Sequence, residues 1–308
     1  MTKTVLITGV TGFIGRYVAR LFAEEGWQVV GIGTRPPENA PTKNLAYYQK
    51  LFLPDDQLIE IIQKYPPDLC VHCAGRAAVG LSVEDPKSDF MANASMTFHL
   101  LDTLRVHAHN CRMIYLSSAA VYGNPTALPV SENQPISPIS PYGFHKLMSE
   151  QLCQEFSKIY NLQTASLRIF SAYGPGLRRQ VLWDICQQLI LYNTLHLKGT
   201  GQESRDFIHG LDVAKAIKSI ALNAPMNGEV YNVGTGREIT IRELSKKVVH
   251  ALDLDITPEF DQVEPIGIPL NWQADISQLQ SLGFQDSVTL DQGLKTFVYW
   301  CRAELVGV

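Results

Sequence analysis

The chain opens with Lys3-Thr-Val-Leu-Ile-Thr-Gly9, an apolar run ending in glycine, and two further glycines follow at regular steps, Gly12 and Gly15. Arg16 to Glu25 then carries a helical pattern, so the opening reads as strand, tight turn and helix. Glycines in such a turn let the backbone approach a pyrophosphate, and the amides at the start of the helix receive its negative charge. The spacing Gly-x-x-Gly-x-x-Gly departs from the commoner Gly-x-Gly-x-x-Gly fingerprint, and each glycine taken alone is equally consistent with a structural turn.

Behind this unit, strand-like runs at about 27–32, 46–50, 68–73, 111–117 and 163–170 alternate with helical patterns at about 55–64, 85–109 and 141–160. That alternation predicts an α/β fold, a doubly wound parallel sheet of the Rossmann kind with helices on both faces. After Tyr173-Gly-Pro-Gly176 the pattern becomes irregular, with Pro258, Pro265 and Pro269 punctuating a loop-rich last third. Asp212 to Ala221 reads as a helix and Glu229-Val-Tyr-Asn-Val233 as a buried strand, both easiest to place on the sheet. The expected division is an NAD(P)-binding domain of residues 1–175 plus about 212–235, and a smaller substrate-binding domain of 176–211 and 236–308.

A length of 308 residues with 45% apolar composition supports a large core. A net charge of -4, with no basic cluster beyond Arg178-Arg179, argues against nucleic-acid binding. No apolar stretch has membrane-spanning length, and Met1-Thr-Lys3 leads straight into the first strand without a cleavable leader, so a cytoplasmic protein is expected. The six cysteines lie in apolar segments, as buried thiols do in a reducing compartment. Cys70-Val-His-Cys73 sits in a strand-like run where alternate side chains diverge, and no second ligand pair follows, so it reads as structural, as does the His107/His109/Cys111 cluster at a helix end. No metal site is expected.

Tyr142-Gly-Phe-His-Lys146 follows Ser140 and Pro141, a cap and first-turn pair, so the phenol and the ammonium fall on one helix face. A tyrosine ordinarily titrates near 10; a fixed ammonium beside it stabilises the phenolate and makes it a usable base. Alone the spacing is common, and a partly exposed helix pair explains it too.

The glycine turn, Leu116-Ser-Ser-Ala-Ala-Val-Tyr-Gly123 and Tyr142/Lys146, in that order, resemble the extended short-chain dehydrogenase/reductase family, above all its NAD(P)-dependent nucleotide-sugar epimerases, dehydratases and reductases. Arg168-Ile-Phe-Ser-Ala-Tyr-Gly-Pro175, Arg205-Asp-Phe-Ile-His209, Asp212-Val-Ala and Tyr231-Asn-Val-Gly-Thr-Gly236 fall where that family has similar runs, so the resemblance spans essentially the whole chain. It implies a catalytic set of Ser118, Tyr142 and Lys146. Ser118 would hold the reacting sugar oxygen, Tyr142 would exchange its proton, and Lys146 would bind the nicotinamide ribose. Cofactor contacts are implied at Gly9, Gly12, Phe13, Ile14, Gly15, Thr34, Arg35 and Ala74 besides Tyr142 and Lys146. Substrate contacts are implied at Ser118, Ser171, Arg179 and Arg205, with Arg205 on the nucleotide diphosphate and an ion pair with Asp206 as its bland alternative. Asn93 would shape the site.

Several positions depart from the family pattern. Ala119 and Ala120 stand where dehydratases and decarboxylases carry acids, which leaves a plain alcohol/ketone exchange. Gly33 stands where NAD-binding members place an aspartate, while Thr34 and Arg35 could receive a phosphate, so NADP(H) is favoured over NAD(H). Lys50-Leu-Phe-Leu53 lacks the usual adenine-contacting aspartate, Ser171 replaces an asparagine, and Val263-Glu-Pro-Ile-Gly267 lacks a substrate-loop arginine that Arg178 or Arg179 would have to replace.

The expected function is therefore oxidoreduction at C4 of a nucleotide-linked sugar, leaning to a 4-keto-sugar reductase. A 4-epimerase with retained NAD is the alternative, followed by a non-catalytic dinucleotide-binding regulator and an oxidoreductase of a non-sugar ketone. A homodimer is expected through helices 85–109 and 141–160, where Met91, Phe98, Leu152 and Phe156 form either the seam or part of the core.

Overall fold

The computed structural model describes residues 2–40, 42–263 and 270–307. The first half of the chain runs β1 (Thr4–Thr8), α1 (Phe13–Glu24), β2 (Gln28–Gly33), β3 (Tyr47–Lys50), α2 (Gln57–Lys64), β4 (Leu69–His72), α3 (Val79–Glu84), α4 (Pro86–Phe90), α5 (Met96–His107), β5 (Arg112–Ser118) and α6 (Pro141–Tyr160). It continues through β6 (Thr164–Ile169), β7 (Ser171–Tyr173), α7 (Gln180–Tyr192), β8 (His196–Leu197), β9 (Ser204–His209), α8 (Gly210–Asn223) and β10 (Asn227–Val233). The last elements are β11 (Glu238–Thr240), α9 (Ile241–Ala251), β12 (Glu259–Phe260), α10 (Ser277–Ser281) and α11 (Leu290–Val306).

Seven strands form a parallel Rossmann sheet in the order β10-β6-β5-β4-β1-β2-β3. Successive residues of β1 serve opposite faces, as strand geometry requires. Val5 and Ile7 pack with Val18 and Phe22 of α1 and Ile217 of α8, whereas Leu6 packs with Ile61 of α2, Leu104 of α5 and Phe156 of α6. Burial on both faces explains why β1 and β6 are closed to solvent along their whole length. The chain winds outward in both directions from β1 and β4, and the crevice beyond their carboxyl ends is where such sheets take ligands.

A separate core joins Leu182, Ile185 and Leu189 of α7 to Leu244 and Val248 of α9 and Phe297 of α11. Capping boxes, Thr240 with Glu243 and Thr289 with Gln292, fix the starts of α9 and α11. Pro265 and Pro269, and residues 264–267 of the Val263–Gly267 stretch, lie outside the described residues.

The helix expected over 85–109 is broken into α4, a π-helical turn at Met91–Ser95, and α5. Asn93 Nδ2 and Thr97 Oγ1 donate to the carbonyls of Asp89 and Asn93, and such side-chain bonds to i−4 carbonyls accompany the widened turn. Met91 and Phe98 on this segment are exposed, Leu152 is half-buried, and Phe156 belongs to the core. No helix among the described residues is long and apolar enough to cross a membrane.

Candidate active site

A cavity of about 620 Å³ lies at the β1/β4 crevice, bordered on one side by Gly9, Gly12, Phe13, Ile14 and Gly15. Gly9 has φ +67°, and a Cβ there would lie 2.6 Å from Ala74 N. A Cβ on Gly15 would lie 2.3 Å from Gly9 O, so both positions require glycine for the turn to close. Gly12 caps α1 without any side chain, leaving the first amides of the helix open to an anion. These features fit a dinucleotide pyrophosphate. Arg16 Nη2 donates to Gly176 O at 3.2 Å and Tyr17 Oη to Pro175 O at 3.0 Å, which ties the Gly174-Pro-Gly176 turn to this bank.

At the end of β2 the side-chain space of Gly33 is already filled. A Cβ would lie 2.8 Å from Thr11 Oγ1 and 3.1 Å from Tyr48 Oη, and Tyr48 Oη donates to Arg35 O at 2.6 Å. Thr34 and Arg35 are exposed and do not border the cavity. Ala74 does not border the cavity; its backbone packs behind Gly9, and its N–H donates to Thr8 Oγ1 at 3.3 Å.

Ser118, Tyr142 and Lys146 all border the same cavity. Ser118 ends β5, and its Oγ accepts from Ala120 N at 3.2 Å as the cap of a 3₁₀ turn over Ala119–Tyr122. Gly143 allows the start of α6 to press on that turn, since a Cβ there would lie 2.7 Å from Ala120 O. Ser140 Oγ accepts from Gly143 N at 3.2 Å and caps α6. Ser117, on the other side of the strand, donates to Glu150 Oε1 at 2.5 Å.

Lys146 Nζ donates to Leu116 O at 2.8 Å, lies 4.9 Å from the centre of the Tyr115 ring and 5.7 Å from that of Tyr142. Burial pulls its ammonium down to about 8, opposed by Asp89, Cys73 and Glu150. The expectation that the ammonium draws the Tyr142 phenol down is not met in this arrangement. Burial pushes the phenol up and outweighs the Ser118 hydroxyl and the Arg179 guanidinium, which lower it. The ammonium is held by the Leu116 carbonyl and not by the phenol oxygen.

Arg205 also borders the cavity; it donates to Ser204 O at 2.7 Å and Leu270 O at 2.9 Å, with its guanidinium 5.5 Å from the centre of the Trp272 ring. Burial brings it down to about 10, and Glu203 opposes this. It makes no ion pair with Asp206, whose carboxylate faces the other way and accepts from the amides of Thr235, Gly236 and Ala274 at 2.8, 2.9 and 3.1 Å. Ser171 borders the cavity, as does Arg179, whose guanidinium is bonded to Ala77 O across it. Arg178 is tied instead to Glu304 of α11 at 2.5 Å.

Sequence reasoning missed Gly75, Arg76, Phe207 and Trp272, all of which border the cavity. Gly75 had a local signal, directly after Ala74 at the end of β4; Trp272 had none, since only the tertiary fold brings it under Arg205. Cys70 is buried, Cys73 borders the cavity, and His72 between them is held by Thr8 Oγ1 at 2.6 Å and brought down to about 3 by burial. No group of three potential metal ligands occurs among the described residues.

The model of the NAD dependent epimerase/dehydratase family matches residues 5–234. The chain is 28% identical over 309 residues to a UDP-glucose 4-epimerase of Mycolicibacterium smegmatis, covering 96% of this chain and 98% of that one. Among solved structures it is similar to the UDP-glucose 4-epimerase of Thermotoga maritima with UDP-glucose, at TM-score 0.87 and 27% identity over 98% of this chain and 99% of that one. It is also similar to MoeE5 in complex with UDP-glucose and NAD, at TM-score 0.89 and 28% identity over 98% and 99%.

Proposed function

Because the chain belongs to the NAD dependent epimerase/dehydratase family, we propose that it is a nucleotide-sugar 4-epimerase, inverting C4 of a hexose carried on uridine diphosphate with NAD held at the glycine turn. The observation that carries this reading is the convergence of Ser118, Tyr142, Lys146 and Arg205 on the cavity that the glycine turn borders. The 4-epimerases among its relatives favour it over the net 4-keto-sugar reductase expected from Gly33 and Arg35. The missing aspartate has a packing explanation, because Thr11 and Tyr48 fill its place, and a similar structure holds NAD; both support NAD over NADP(H).

In this reading Tyr142 Oη takes the proton of the 4-hydroxyl as the alcohol becomes a ketone and returns it as the ketone becomes an alcohol. Ser118 Oγ, able to donate or accept, follows the same oxygen through both states. Lys146 Nζ, held by Leu116 O and 5.7 Å from the centre of the Tyr142 ring, would bind the nicotinamide ribose. When bound, NAD supplies a hydride acceptor that later gives the hydride back. Ala119 and Ala120 offer no acid or base for dehydration or decarboxylation. Inversion requires the ketone to present its opposite face between the two halves. Anchoring at the diphosphate through Arg205, with the hexose ring held only near Ser118 and Tyr142, leaves the ring able to turn.

Residues 176–211 and 236–308 supply the substrate end in this proposal, residues 1–175 with about 212–235 the dinucleotide end, and two copies pair through exposed Met91 and Phe98. Incubation with UDP-glucose and no added cofactor should yield UDP-galactose, and denaturing the protein should release NAD. NADPH-dependent reduction of a 4-keto nucleotide sugar without epimerisation would overturn the reading in favour of a reductase.

A further inference from the structure

Asp89 is fully closed to solvent, on the last turn of α4, and its Oδ2 lies 2.6 Å from Nδ1 of His145, the residue immediately before Lys146. An ionised carboxylate only accepts, so the imidazole Nδ1–H is the donor. The other oxygen, Oδ1, is buried with no hydrogen-bond partner among the described residues. An unpaired, buried carboxylate oxygen is unfavourable unless a cation lies close by.

Asn93, one turn further on, holds the Asp89 carbonyl with its Nδ2, and its own Oδ1 is likewise buried without a partner. That Oδ1 and Lys146 Nζ flank the same niche at Gly75, where a Cβ would lie 2.8 Å from the first and 3.7 Å from the second. Asp89 at the end of α4 and Asn93 in the π-helical turn thus each carry an orphaned buried acceptor, and that of Asn93 stands on the side of the site that holds the ammonium. Lys146 spends one N–H on Leu116 O and has others to direct there.

The remaining groups around Lys146 do not offer an uncommitted negative charge. Glu150 accepts from Arg168 Nη2 at 2.8 Å and from Ser117 Oγ at 2.5 Å. Burial keeps the Cys73 thiol protonated and His72 neutral, and the Tyr115 and Tyr142 phenols are pushed up. Arg179, near Tyr142, is itself a cation.

We infer that Asp89, fixed by His145, is a positioning residue for the proton-transfer pair: it is the buried counter-ion that keeps Lys146 an ammonium beside Tyr142. The inference rests on the reading of Tyr142 and Lys146 as that pair, and extends it to two residues behind the site. Without the carboxylate, the largest of the charges that oppose burial is gone, and the lysine proton is lost nearer neutrality.

The test is the titration of Lys146 in the full-length protein, followed by competitive acetylation with acetic anhydride across pH and peptide mass spectrometry. This needs no substrate, so it is separate from whether the wild type epimerises UDP-glucose. The wild-type midpoint should lie near 8, and that of Asp89→Asn at least about one unit lower, a tenfold change in the acid constant. The alkaline limb of kcat should move with it, so that the loss is about fivefold at pH 8, approaches about tenfold above pH 9 and shrinks towards pH 6. His145→Leu, which leaves the carboxylate without its donor and so favours its neutral form, should move the midpoint the same way. His145→Gln, which keeps an amide donor, should hold it near that of the wild type. Should Asp89→Asn not fold, the contrast between the two His145 variants decides. A midpoint unmoved in Asp89→Asn, or equal in His145→Leu and His145→Gln, overturns the inference.

Discussion

Arg168 on β6 and Glu150 on α6 form a buried ion pair, Nη2 to Oε2 at 2.8 Å and Nε to Oε1 at 3.0 Å, with both side chains almost closed to solvent. The pair is part of a longer chain of bonds. Ser117 donates to Glu150, Arg168 Nη1 donates to Tyr122 Oη at 2.9 Å, and Tyr122 donates to Asn232 Oδ1 at 2.7 Å. Glu150 lies one turn beyond Lys146, so this network sets the height of α6 on the sheet and with it the place of Tyr142 against Ser118.

Removing one member of such a pair leaves a buried charge without its partner. Arg168→Met should therefore destabilise the fold by about 3–5 kcal/mol, measured by denaturant unfolding. Arg168→Met combined with Glu150→Leu should lose less than Arg168→Met alone, because no naked carboxylate remains. A double variant less stable than the single one would show that the ion pair is not the main contribution.

What neighbouring residues decide is legible in this sequence, and what the tertiary fold decides is not. Helix α6 could be read from its own residues, because Ser140 caps it, Pro141 suits its first turn and the Tyr142/Lys146 spacing places both on one face. The glycine turn was equally local. Glu150–Arg168 and Asp89–His145 were not legible, since each joins side chains far apart in sequence and the fold alone brings them together. The π-helical turn at Met91–Ser95 escaped because helical periodicity does not register a single widened turn. Gly33 looks from the sequence like a missing acid; its crowding by Thr11 and Tyr48 depends on the register of β3 against β2.

Tyr142→Phe deletes one oxygen from a buried site without changing the shape of the ring. Turnover should fall by about 10²–10⁴-fold, with dinucleotide binding by calorimetry close to that of the wild type. Retained turnover would place the proton transfer on another group.

The crowding at Gly33 predicts the outcome of restoring an acid at the end of β2. Gly33→Asp should weaken dinucleotide binding, because its Cβ would press on Thr11 Oγ1 and Tyr48 Oη before the carboxylate could reach a ribose. Tighter NAD binding in Gly33→Asp, again by calorimetry, would mean that the pocket opens readily and that packing does not explain the glycine.

Arg205 borders the same cavity as Ser118 and Tyr142 and is braced by two carbonyls and the Trp272 ring. Arg205→Met should raise KM for the nucleotide sugar by about tenfold or more while changing kcat little, as expected for a group that grips substrate and transition state alike. Equal losses in kcat and kcat/KM would assign Arg205 to the chemical step.

Lys146 should reduce stability in the form that serves catalysis. Its ordinary value of 10.5 is brought to about 8 by burial, so between these values the unfolded chain binds more proton than the folded one. Stability from this group therefore rises as pH climbs from about 8 to 10.5, and the full penalty, on the order of 3 kcal/mol, applies below 8. Lys146→Met removes the penalty and should raise the unfolding temperature at pH 7. The gain should shrink through that window and vanish above it, while turnover is lost at every pH. Unfolding curves of both proteins from pH 6 to 11 check this. A variant less stable than the wild type at pH 7 would mean that Leu116 O and Asp89 hold the ammonium strongly enough to outweigh its burial.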